Sequence, residues 1–139
     1  MEYKLDRFIN AQREYFENAK QELLDGHKES HWMWFIFPQL KGLGKSSMSE
    51  EYGLDGIGEA KAYYRNTILH NGLIELCNIL LKLDTDNPED IFSDIDARKL
   101  KSSMTIFSLA TDDEIFDNVL KKYFSGEFDT LTLKLLHIN

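Results

Sequence analysis

Apolar side chains recur at steps of three and four residues along most of this chain, and only a helical period of about 3.6 gathers such positions on one face. From Asp6 to Asp25 the series Phe8, Gln12, Tyr15, Ala19 and Leu23 is interleaved with Arg7, Glu14, Glu17 and Lys20, which predicts an amphipathic helix stopped by Gly26. Thr67 is placed to cap a longer helix through Leu83, with Ile68, Leu69, Leu73, Leu76, Leu80 and Leu83 on the helical period. A further helix is expected from Asp94 or Asp96 to about Ala110, its apolar side carrying Leu100, Met104 and Phe107. Thr111-Asp112-Asp113-Glu114 signals another start, and Ile115, Phe116, Val119, Leu120, Tyr123 and Phe124 give that helix a wide buried face before Gly126. Asp129 caps a last helix containing Leu131, Leu133, Leu135 and Leu136.

The shorter pieces are punctuated by turn chemistry. Ser30 is expected to cap a short apolar helix from His31 to Phe37, closed by Pro38, although the run Trp32 to Phe37 also suits a buried strand. Lys41 to Ser47 reads as a glycine-containing loop, and Ser47 or Ser49 starts a helical turn with Met48 and Tyr52. Gly53, Gly56 and Gly58 then break the chain before a helix from Glu59 to Arg65, and Asn87-Pro88-Glu89-Asp90 forms a cap followed by a first-turn proline. No repeat, linker or low-complexity tract interrupts the series. The expected fold is all-α: a compact multihelical single domain over residues 1–139, with about six to eight helices stabilised mainly by packing on one another.

Composition agrees with a globular chain that needs no staple. Its 139 residues are 42% hydrophobic and 29% charged, enough to bury about two thirds of the unfolded surface and offset the entropy of ordering the backbone. The single cysteine, Cys77, sits in an apolar run and reads as a small buried hydrophobe, so neither a disulfide nor an oxidising compartment is implied. The N-terminus lacks an apolar signal core and no run approaches the ~20 apolar residues that cross a bilayer, which makes the cytoplasm the expected location. With 16 Lys and Arg against 24 Asp and Glu, the net charge of −8 repels nucleic acid and anionic membranes, so neither is an expected partner.

The run Ser30-His31-Trp32-Met33-Trp34-Phe35-Ile36-Phe37-Pro38-Gln39-Leu40, followed by Gly42-Leu43-Gly44, is distinctive. It resembles the uncharacterised small bacterial protein family catalogued as domain of unknown function 1810, sometimes mislabelled calpastatin. Further resemblance lies in Met48-Ser49 with Tyr52-Gly53, Glu59-Ala60 with Ala62-Tyr63, Lys99-Leu100 with Ser102-Ser103-Met104-Thr105, and Phe116 to Gly126. It extends over nearly the whole chain, with one departure in the short glycine spacing between Leu54 and Gly58. The resemblance implies a small all-helical fold and carries over no activity, substrate, cofactor or catalytic residue.

Charge distribution adds what the resemblance does not. Residues 30–49 contain Lys41 and Lys45 and no acid, and residues 97–110 contain Arg98, Lys99 and Lys101 and no acid. These two segments carry a formal +5 on a chain of −8 and hold seven of its nine serines. If they meet in the fold, ammonium groups, hydroxyls and loop amides converge on a small anionic ligand, nucleotide-like or phosphorylated. The expected contacts are Lys41, Lys45, Ser46, Ser49 and Thr105, with Gln39 and Tyr52 as further polar partners and Trp32 or Trp34 as an aromatic wall.

Other signatures are weaker. Gly44-Lys45-Ser46 lacks the glycine that a phosphate loop needs five residues before Gly44, where Gln39 stands, and it lacks the preceding strand. His27 and His31 have the spacing of helical metal ligands, but Gly26 and Ser30 interrupt the helix, the order is not that of a metalloprotease, and no third ligand is near, so no metal or cofactor is implied. Lys99 and Ser103 are four apart, within reach for a lysine to deprotonate a serine, yet no oxyanion hole is visible. Any catalytic group is sought among His31, Lys99, Ser102 and Ser103. Glu50, Glu51, Asp55 and Glu59 form no distinct acid-base pair. Three readings follow: a small-anion binding domain with or without catalysis, a non-catalytic protein-interaction module using a partly exposed aromatic segment 32–40, and a structural domain without a site.

Overall fold

In the computed structural model, which describes residues 3–138, side chains that satisfy the first free amides set the start of most elements. The elements are α1 (Asp6–Leu24), α2 (Met33–Ile36), α3 (Ser47–Tyr52), α4 (Ile57–Arg65), α5 (Thr67–Lys82), a 3-10 turn (Pro88–Asp90), α6 (Asp94–Ala110), α7 (Glu114–Phe124) and α8 (Thr130–Leu135). Ser46, Asn66, Asn87, Ser93, Asp113 and Asp129 each accept a backbone N–H at the start of the element that follows. The fold is therefore all-α, and its long helices lie where the periodicity predicts.

Three local expectations are corrected. Thr67 is the first residue of α5 and not its cap; Asn66 accepts from Leu69 N. Gly58 does not break the chain but lies inside α4, where an added Cβ would run into the Tyr3 hydroxyl. The apolar run after Ser30 is helical only over α2, which has no side-chain cap, because the Ser30 hydroxyl donates to Glu22 of α1 instead (2.6 Å). The strand alternative fails there too. Among the described residues, pairing is confined to one parallel bridge between Leu40 and Leu54, with Lys41 N donating to Leu54 O and Leu54 N to Gln39 O, each at 2.8 Å.

The core is aromatic and continuous from helix to helix. The Phe8 ring meets Tyr63 edge-on at 5.2 Å, Tyr63 packs on Phe107 at 5.3 Å, and Phe107 stacks on Phe116 at 5.4 Å, which links α1, α4, α6 and α7. Met104 of α6 reaches Cys77 of α5, whose buried thiol is pushed far up in pKa by desolvation. α6 is the hub, packing against α2, α4, α7, α8 and the 3-10 turn. This arrangement brings residues 97–110 beside residues 30–49. Among the described residues no helix is long and apolar enough to cross a membrane.

Candidate functional site

Glu22 organises the approach of the two segments. Its carboxylate accepts from Glu29 N (2.8 Å), Ser30 N (2.9 Å), Ser30 Oγ (2.6 Å) and the Trp32 indole N–H (3.0 Å). Desolvation favours the neutral acid, but these four donors outweigh it and hold the Glu22 pKa down at about 2. Next to it, half-buried Lys28 keeps its side chain only 6% exposed, with its ammonium 2.9 Å from Asp96 and 5.0 Å from the centre of the Trp32 ring. Asp96 also receives Lys99 at 3.4 Å, and Lys99 in turn lies 4.4 Å over the face of Trp34. A chain of alternating charge and aromatic rings thus fastens residues 28–34 to the first turns of α6.

Beyond that junction opens a hollow of about 280 Å³. Gln39, Leu43, Gly44 and Ser49 line it from the first segment, Ile95, Arg98, Lys99 and Ser102 from α6, and Asp129 and Leu131 from the start of α8. A narrow cleft lined by Trp34, Gln39, Met48, Ser49, Tyr52 and Gly53 shares Gln39 and Ser49 with it. At Gly44 the loop passes close against α3, since a Cβ there would collide with the Ser49 side chain. The wall is both polar and apolar, because Ile95 (64% exposed) and Leu131 (59%) stand open beside the cations.

Of the residues expected at the site, Gln39, Ser49, Lys99 and Ser102 line the hollow, and Trp34 and Tyr52 line the adjoining cleft. Lys41 and Lys45 are exposed on the loop that supplies Leu43 and Gly44 and have no ion pair among the described residues. Ser46 caps α3 and shares a hydrogen bond with Ser49 Oγ (2.9 Å). Trp32 and Thr105 are wholly buried elsewhere. The Trp32 indole is committed to Glu22, and the Thr105 hydroxyl donates to Lys101 O and accepts from Asp129 N. His31 is exposed, and Ser103 is buried with an unpartnered hydroxyl; neither lines the hollow. No hydrogen bond joins Lys99 to Ser103 among the described residues. The apolar segment 32–40 is core, with only Trp34 and Gln39 left half-buried.

A model of the family described as "Protein of unknown function (DUF1810)" matches residues 2–136. The chain belongs to that family. It is also similar to a conserved hypothetical protein of Mycobacterium tuberculosis, Rv1873, whose crystal structure at 1.38 Å resolution matches with a TM-score of 0.95 and 39% identity over 99% of each chain. No curated protein matches.

Residues that sequence reasoning missed in this DUF1810 protein are those that close the site from outside the two segments. Asp129 and Leu131 line it from α8, and Ser102 Oγ lies 3.0 Å from Thr132 Oγ1, which donates to Asp129 Oδ2 at 2.6 Å. Because the Thr132 proton goes to Asp129, its oxygen accepts from Ser102. Asp129 was legible as a cap, but a cap marks where a helix begins and not what it packs against. Lys28, Asp96 and Glu22 were hidden for a related reason: charges spread through mixed-sign sequence give no signal until the fold pairs them.

Proposed function

We propose that this protein binds a small anionic ligand, nucleotide-like or phosphorylated, in the hollow between residues 39–49, the first half of α6 and the start of α8. The observation that carries the reading is the convergence of Arg98 and Lys99 with the Gly44 backbone, Ser49 and Gln39 on one concavity of about 280 Å³. A small-molecule site needs a few convergent polar groups on a largely apolar wall, and Leu43, Ile95 and Leu131 supply that wall. The cations there are partly neutralised: Arg98 pairs with Asp94 at 2.8 Å and Lys99 with Asp96 at 3.4 Å. An anion therefore gains most from Arg98, which is exposed and can exchange its partner, and from Lys41 and Lys45, which flank Leu43 and Gly44 in the chain. The apolar wall suits a ligand with a planar or hydrocarbon portion beside its charged group.

Catalysis is not part of the reading. Ser102 is the one hydroxyl of the catalytic candidates on the wall, and its proton is directed to Thr132. A protein-interaction role through segment 32–40 needs an aromatic patch at the surface, and that segment is core.

Thermal-shift measurements against nucleoside monophosphates, dinucleotides, sugar phosphates and inorganic phosphate test the reading. A ligand at about 100 times its Kd stabilises by about 2.7 kcal/mol. The expected result is a hit from the phosphorylated compounds that Arg98→Glu abolishes and Lys45→Ala weakens. Equal stabilisation of all three proteins, or none, removes the proposal and leaves a helical domain without a ligand here.

A further inference from the structure

A second hollow lies between α1 and α5. It has a volume of about 360 Å³, and its apolar surface comes from Ile9, Phe16 and Ile68. Gly72 makes the helices fit at this point, since a Cβ there would sit 2.8 Å from the Phe16 ring. Gln12, only 7% exposed and on the inner face of α1, also lines the hollow. The Gln12 amide nitrogen donates to Phe35 O at 2.7 Å and to the Tyr63 hydroxyl at 2.8 Å. A backbone carbonyl cannot donate, so Phe35 O fixes which end of the amide is nitrogen. Both amide hydrogens are committed, and the carbonyl oxygen has no hydrogen-bond partner among the described residues. It is not sealed in either. The enclosed, unpartnered side-chain oxygen among the described residues is that of Ser103, so the Gln12 oxygen keeps some accessible surface, and Gln12 is a lining residue of the hollow.

A nearly buried acceptor, its amide held by two donated hydrogen bonds and its oxygen unsatisfied, on the wall of a hollow whose surface is mostly apolar is the pattern of a ligand site with an orienting polar group. We infer that the α1–α5 hollow is a binding site for a small, neutral, largely apolar molecule, such as a bicyclic heteroaromatic, that donates one N–H or O–H hydrogen bond to the Gln12 carbonyl. Charge at the rim is balanced: Arg13 and Glu17 oppose each other in sign, and Glu75 is already paired with Lys20 at 2.6 Å. An ionic ligand finds no surplus counter-charge there. The volume accommodates a small molecule and is too small for a partner helix, whose side chains give it a diameter of about 10 Å. This site shares no lining residue with the hollow beside α6.

Amide chemical shifts of the isotopically labelled full chain, titrated with indole and separately with indene, test the inference. The two probes have the same bicyclic shape, and only indole donates. Indole is expected to bind with a Kd on the order of 1 mM and to shift amides of residues 9–17 and 68–75. Indene should bind about fivefold to tenfold more weakly, the loss expected for one neutral hydrogen bond. Ile68→Asp, at a position 62% exposed and so harmless to folding, should weaken both probes. Gln12→Met, where it folds, should erase the difference between them. Equal affinity of wild type for indole and indene, shifts confined to other parts of the molecule, or no shifts with ~5 mM indole would each overturn the inference without reference to Gln12→Met.

Discussion

Glu22 shows how much a single exposed-looking acid can organise, since four donors from Glu29, Ser30 and Trp32 converge on it. Its pKa lies at about 2 in the fold, against an ordinary value of 4.5. The sign follows: a depressed carboxylate contributes stability that is fully present above pH 4.5 and is lost as pH falls through about 2. Urea unfolding at successive pH values should show wild type losing stability over that window, while Glu22→Gln starts less stable and has a flatter profile. Ser103 argues the opposite way. Its hydroxyl is buried without a partner, so Ser103→Ala should leave stability unchanged or raise it by about 1 kcal/mol in thermal unfolding. The spacing of Lys99 and Ser103 was legible in the sequence, but Trp34 and Asp96 draw the ammonium away, and neither attraction can be read from a four-residue interval.

Between elements, two cations do work that periodicity does not reveal. Arg7 of α1 pairs with Glu59 of α4 at 2.9 Å and also donates to the carbonyls of Lys4, Glu51 and Gly53, tying three elements together around an acid only 3% exposed. Arg7→Met leaves that acid without its counter-charge and should cost about 3 kcal/mol in denaturant unfolding. Lys122 of α7 donates to the carbonyls of Leu80, Leu81 and Leu83, closing the C-terminus of α5 where no glycine does so. Desolvation pushes its pKa down, opposed by Asp84 and Asp86. Lys122→Met should destabilise by about 2 kcal/mol and expose the end of α5 to faster amide exchange. The helices themselves were readable because caps and apolar period act locally: Asp113 and Asp129 stand where the sequence puts them. Gly58 and Ser30 depart from the sequence expectation because their partners lie outside their own elements: Tyr3 reaches Gly58 from far along the chain, and Glu22 reaches Ser30 from the end of α1, across the turn at Gly26.

Across the whole molecule, an acidic chain sets one acid-free stretch, residues 30–49, beside the other on α6, and the start of α8 completes the concavity between them. The sequence disclosed the stretches but not the partners that temper their charge, so it overstated how positive the junction is. What survives is a mixed wall, cationic at Arg98 and apolar at Ile95 and Leu131. The most direct measurement is an amide chemical-shift titration with a nucleoside monophosphate on wild type and Arg98→Glu. The account predicts perturbations concentrated at residues 39–49, 95–102 and 129–131 that Arg98→Glu eliminates. Perturbations scattered over the surface, or identical in the two proteins, would contradict it.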